Sequence, residues 1–310
     1  MLKMNITSYT KIDTKMLVIP IVTFSTYACF NVLGIFLLTK AKPKPDNQRM
    51  ILINMTLSSL LVGVCYACPC AKAMVNGKAL YESFSPVELF FACFTIFSYK
   101  LFVIYLTLDR LFAIWCNIYY PIYFTSACVK KIVIGVWLSS LIIGAICTVT
   151  LNFLVLQNID RLLYFMYTYM AFDMAIIINV FLSYSYMFWR AKQLHRSTSQ
   201  VGQSSEAGRN ARFLVPFLLC LSYIVFNVTG DILVHIGLTS LKGGNKDTSL
   251  LFVGDIFYFF GYCSDILICV IFQREVRQFC MKLCQCNKSL AANDIRPQVT
   301  STSNNKETTT

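Results

Sequence analysis

The chain has 310 residues and a formal net charge of +12; 56% of it is hydrophobic, only 14% is charged, and the mean hydropathy is +0.60. A water-soluble domain of this size needs more charge on its surface. The composition therefore excludes an ordinary soluble fold and points to apolar segments that span a bilayer.

Seven runs approach or exceed the roughly 20 apolar residues that a spanning helix needs. In chain order they lie at Met16–Thr39, Ile51–Met74, Val87–Trp115, Ile132–Phe153, Leu162–Arg190, Phe213–Leu238 and Leu250–Phe272. The expected fold is an all-α membrane protein, a seven-transmembrane helix bundle with a short amphipathic eighth helix. Residues 1–15 form an outer tail, 16–272 the bundle, 273–286 the amphipathic helix and 287–310 a disordered inner tail. The first run is too long for a signal peptide and is followed by a basic flank, Lys40–Lys44. Between the runs lie short polar segments, among them Gln193–Gly208, rich in Ser and Gly.

With the N-terminus outside, the inner side carries 17 Lys and Arg and the outer side 8. The positive-inside rule favours that orientation. It also accounts for the net charge through topology and anionic inner-leaflet lipid, so no nucleic acid partner is expected. Asn5-Ile6-Thr7 is a glycosylation sequon on the outer side, at Asn5. Cys65, Cys68 and Cys70 are read as thiols of the second helix rather than metal ligands, because a second ligand pair is missing. The only histidines are His195 and His235, and no nucleophile constellation accompanies them. The expectation is a protein that is not an enzyme, with no cofactor and no metal.

Three segments carry a family resemblance. The third run ends in Leu108-Asp109-Arg110-Leu111-Phe112-Ala113-Ile114, with Pro121 and Tyr123 beyond it. The second contains Asn54-Met55-Thr56-Leu57-Ser58-Ser59-Leu60-Leu61, the first has Asn31 and the fourth has Trp137. The seventh has Asp265-Ile266-Leu267-Ile268-Cys269, followed by Phe272-Gln273-Arg274-Glu275-Val276-Arg277-Gln278-Phe279. Together these resemble the rhodopsin-like class of G-protein-coupled receptors across essentially the whole membrane region.

The resemblance implies roles. Asp109 and Arg110 stand at the family's Asp-Arg-Tyr signature, whose arginine is freed on activation and meets a heterotrimeric G protein. Asp265 stands at the family's Asn/Asp-Pro-x-x-Tyr motif, and Tyr184 or Tyr186 at its inner tyrosine. Cys284 and Cys286, beside the membrane, suit palmitoylation. The hydroxyl-rich tail suits phosphorylation and an arrestin partner. Several family features are missing. Leu111 replaces the signature Tyr, Ser59 the buried Asp, Ile266 the Pro and Cys269 the Tyr. The sixth run lacks its Trp and Pro, with Leu221 and Tyr223 there, and the fifth has no proline. Ser85 stands where a disulfide cysteine is usual, and the second outer loop is short. These absences give a weak likeness to the melanocortin-like branch.

Ionisable residues inside a bilayer are functional candidates by default. Lys100 lies nine residues before Asp109, about 13 Å along the helix. An ion pair with Asp265 or another inward acid, locking one conformation, is expected; the alternative is a lysine reaching into water. Glu88, Asp173, Asp231 and Asp255 are expected toward the outer side, where their convergence would steer a cationic extracellular ligand. Ala92 and Phe259 stand where aminergic receptors have an Asp and opsins their retinal lysine, which sets both ligand classes aside and leaves the two as candidate pocket residues. The expected function is a plasma-membrane receptor in contact with lipid. The alternatives are a transporter or channel, or a degenerate, non-signalling seven-helix protein.

Overall fold

The computed structural model describes residues 18–40, 47–76, 85–116, 119–152, 159–198, 216–242, 249–272 and 276–281. Within these the chain is almost wholly helical and has no strand. The helices are α1 (Val18–Lys40), α2 (Asn47–Asn76), α3 (Pro86–Trp115), the single-turn α4 (Tyr120–Tyr123), α5 (Ser126–Thr150) and α6 (Ile159–Thr198). Then α7 runs from residue 216 through a π-helical segment, Tyr223–Val228, into Thr229–Lys242. α8 is Ser249–Phe272, and residues 276–281 form α9.

Six of these, α1, α2, α3, α5, α6 and α7, are long and apolar enough to cross a membrane. α8 is a further helix of 24 residues. The outward faces agree with a lipid setting. On α5, Val133, Ser140, Gly144 and Thr148 point inward, while Ile134, Leu138, Ile142, Ile146 and Val149 are exposed. An apolar face repeated on helix after helix is far larger than water tolerates.

The helices pack as a closed ring. α1 lies against α2 and α8, α8 against α7, α7 against α6 and α6 against α3, and α3 also touches α2 and α5. α3 is the most enclosed. Its buried residues run from Ala92 to Arg110 and cover nearly every side of the helix, as expected for a helix apolar all round. It begins with a capping box in which the Ser85 hydroxyl accepts from the Glu88 N–H, and the Glu88 side chain accepts from the Ser85 N–H at 2.9 Å. Gly144 lets α5 approach α3 closely: a Cβ there would lie 2.8 Å from the Phe94 Cα. Small residues give membrane helices this kind of contact.

Helix ends depart from expectation where polar residues extend a helix. α2 begins at Asn47 rather than Ile51, and α5 at Ser126 rather than Ile132, with the Thr125 hydroxyl capping it by accepting from the Cys128 N–H. α6 continues to Thr198, so the polar segment expected from Gln193 starts as helix, with Arg190 donating to Gln193 at 3.0 Å. Asn5, Cys284, Cys286, the outer tail and residues 287–310 lie outside the described residues.

Candidate functional site

Two clusters of buried polar groups occupy the interior, one at the end of the bundle where α3 finishes and one at mid-depth. At the α3 end, Arg110 folds back onto its neighbour. Its Nε and a terminal nitrogen both donate to Asp109 Oδ2, the first at 2.9 Å. Its other terminal nitrogen donates to Gln48 on α2 at 3.3 Å. Asp109 is fully buried, and its second oxygen accepts from the Tyr120 hydroxyl of α4. Burial beside this acid pushes the Tyr120 phenol up from its ordinary range, first through desolvation and then through the Asp109 charge. Asn47 anchors the α4 segment to α2 by donating to the Phe124 carbonyl at 2.6 Å. The arginine is thus held by groups from α2 and α3, and the Asp109 that holds it is bonded in turn to α4, all at one end of the bundle. Such charge-assisted bonds are the stronger kind.

One turn deeper, Thr107 lies 3.2 Å from the Cys220 thiol of α7, with Tyr184 of α6 beside it. Tyr184 is buried while Tyr186 is exposed, so Tyr184 is the inward tyrosine of the two. On α5, the Trp137 indole donates to Asn54 of α2 at 3.0 Å and packs on Phe94 and Phe102 of α3. Asn31 is buried and donates to the Tyr27 carbonyl of its own helix.

The mid-depth cluster centres on Lys100, which is 3% exposed. Its ammonium donates to Asp173 Oδ1 on α6 at 2.5 Å and sits 3.3 Å from the centre of the Tyr169 ring. A desolvated cation over an aromatic face gains from both contacts. The Tyr223 hydroxyl of α7 donates to the same Asp173 oxygen at 2.5 Å. Asp231 of α7 approaches both Asp173 and Lys100 and accepts from the Tyr258 hydroxyl of α8. The expectation of an inward acid for Lys100 is met by Asp173, whereas Asp265 has another partner: the Tyr99 hydroxyl donates to it at 2.6 Å. Adjacent helical residues point about 100° apart, so Tyr99 and Lys100 address α8 and α6 respectively. Next to Asp265, Ser222 of α7 contacts Ser264 of α8.

The four acids do not converge as one group. Asp173 and Asp231 meet at mid-depth. Glu88 is instead taken up at the start of α3, by the cap and by an ion pair of 2.5 Å with Lys72 of α2. Asp255 lies near Cys70 of α2. Ala92 is buried on α3, eight residues before Lys100. The side chain of Phe259 lies outside the described residues. Tyr99 and Tyr120 are positions in these clusters that the sequence reading does not single out, and Tyr223 enters it only as a replaced family residue; the available signal was that a buried tyrosine needs a partner for its hydroxyl. Among the described residues no group of His, Cys, Asp and Glu is arranged to hold a metal ion, and the described cysteines are free thiols.

No protein-family model matches the chain, and the search of curated proteins returns no relative.

Proposed function

We propose that this chain is a seven-helix receptor of the rhodopsin-like kind that passes an extracellular signal to a heterotrimeric G protein. The observation that carries the reading is the caged Arg110, a cation held by Asp109, Gln48 and, through Asp109, Tyr120, at the end of α3 that in this reading faces the inner side, to which the sequence assigns 17 Lys and Arg. Released from Asp109, that guanidinium becomes a donor fork for an acceptor on a partner protein. The Trp137–Asn54 bond and the inward Tyr184 add support, because these are residues on which the sequence resembles the family. In this reading α8 is the seventh crossing, α9 begins the surface helix, and the outer tail carries the sugar at Asn5. In this reading the ligand is cationic, a basic peptide or an amine, although Asp173 and Asp231 face Lys100 and Glu88 faces Lys72 rather than gathering into one acidic site.

The test is a panel of G-protein activation assays in cells expressing the full chain, first without ligand and then with a library of basic peptides. Wild type activates at least one G protein, and Arg110→Ala reduces that activation at least tenfold at equal surface expression. Equal activation by the two would overturn the reading.

The buried charges of Lys100, Asp173 and Asp231 support a second reading, an ion or proton transporter, since such groups mark ion pathways inside membranes. Ion currents or uptake that persist in Arg110→Ala and vanish in Lys100→Met would favour it.

A further inference from the structure

Asp173 and Asp231 are each 1% exposed and lie on neighbouring helices, α6 and α7, within hydrogen-bond reach of one another. Their Oδ1 atoms are already engaged. Asp173 Oδ1 takes the Lys100 ammonium and the Tyr223 hydroxyl, and Asp231 Oδ1 takes the Tyr258 hydroxyl. The Oδ2 atom of each is buried and receives no hydrogen bond from the described residues. The groups around the pair are Lys100 from α3, Tyr169 from α6, Tyr223 from α7 and Tyr258 from α8. His235 lies one turn further along α7, its ring tilted against that of Tyr167. Among the described residues, Lys100 is therefore the single full cation set against two carboxyl groups.

Two ionised carboxylates in contact repel, and leaving them so in a dry interior is strongly unfavourable. A hydrogen bond between two carboxyls needs a proton on one of them. That proton gives each free oxygen a role and makes the cluster neutral as a whole: one ammonium, one carboxylate, one carboxylic acid.

We propose that the Asp173–Asp231 pair is a proton-binding site, holding one proton between α6 and α7 while Lys100 stays charged against Asp173. The bound proton ties the two helices together. Its departure leaves two carboxylates against one ammonium and drives α7 away from α6. The inference does not depend on coupling to a G protein and stands on this cluster alone.

Infrared spectroscopy of the purified full chain in lipid nanodiscs tests it. The difference spectrum of wild type minus Asp231→Asn shows a carboxylic-acid C=O stretch that shifts on exchange into deuterated water. Wild type minus Asp173→Asn shows the same band, because a single remaining carboxyl is ionised against Lys100. In Lys100→Met the band persists, since the two carboxyls still share a proton. Asn is close in shape to a protonated Asp, so the variants keep the fold; retention of wild-type helical content by circular dichroism confirms that the spectra compare like with like. Superposable carboxyl regions in wild type and both Asn variants would overturn the proposal. So would a melting temperature that rises with sodium chloride, but not choline chloride, in wild type and not in Asp231→Asn, because the occupant would then be a metal cation.

Discussion

Tyr223 and Asp231 lie eight residues apart on α7, yet both reach Asp173 on α6. In an unbroken α-helix, eight residues place two side chains about 80° apart. The π-helical turn at Tyr223–Val228 absorbs about one extra residue, with bonds running i to i+5. The effective separation is then about seven residues, which brings the two to within about 20° of one line. The chain thus places an irregular turn at the middle of α7.

Removing that extra residue is accordingly the mildest deletion available in the bundle. Val225 is exposed within the π turn, and deleting it restores regular helix without rotating either flank. The Val225 deletion is expected to fold and to melt within a few degrees of wild type. Deleting Ile178 of α6, which is also exposed, rotates Tyr184 by about 100° relative to Asp173, and no folded protein is expected. Fluorescence-detected size exclusion with thermal challenge measures both. Equal loss in the two would show that the π turn has no such role.

Breaking the Lys100–Asp173 pair from one side leaves charge in a dry interior. Lys100→Met is expected to destabilise the fold by about 3–5 kcal/mol. Lys100→Met combined with Asp173→Asn is expected to recover most of that, giving a coupling energy well above zero in a double-mutant cycle. In the receptor reading, Lys100→Met also raises ligand-independent G-protein activation, because the pair ties α3 to α6. Unchanged basal and stimulated activity would remove the lock.

At the other cluster, Tyr120→Phe deletes one hydrogen bond to a buried carboxylate, worth about 1.5–3 kcal/mol, and leaves the ring stacked on Phe124. Arg110 then holds Asp109 with one competitor fewer but also with less constraint from α4. In the receptor reading, basal G-protein activation is expected to rise severalfold, whereas Arg110→Ala lowers it at least tenfold. A Tyr120→Phe variant indistinguishable from wild type would show that α4 plays no part in the restraint.

Much of the architecture was legible because apolar run length is set by bilayer thickness. The third run, Val87–Trp115, agrees with α3 to one residue. Helix ends drifted where polar caps such as Thr125, or polar extensions such as Gln193–Thr198, carry a helix past its apolar run. Lys100 and Asp173 were each visible as costly intramembrane charges, but their pairing was not. Which acid a lysine meets depends on the rotation of each helix about its axis, and composition does not encode that. Glu88 shows the opposite failure. The spacing Ser85-Pro86-Val87-Glu88 already spells a capping box, and the acid read as a ligand contact is occupied by the cap and by Lys72.

Two glycines on the same helix separate close packing from helix propensity. A Cβ added at Gly144 meets the Phe94 backbone at 2.8 Å, whereas one at Gly135 meets nothing within 4 Å. Backbone cannot rotate away as a flexible side chain can, so Gly144→Ala forces α5 off α3 and is expected to cost about 1–3 kcal/mol. Gly135→Ala only stiffens an open helical position and is expected to stabilise by up to about 1 kcal/mol. Because α3 carries Lys100, Asp109 and Arg110, the Gly144 variant also disturbs both buried clusters. Its melting curve is therefore expected to broaden as well as shift, while that of Gly135→Ala stays as sharp as wild type. Matching curves for the two variants would mean that α3 and α5 are not in the close contact described.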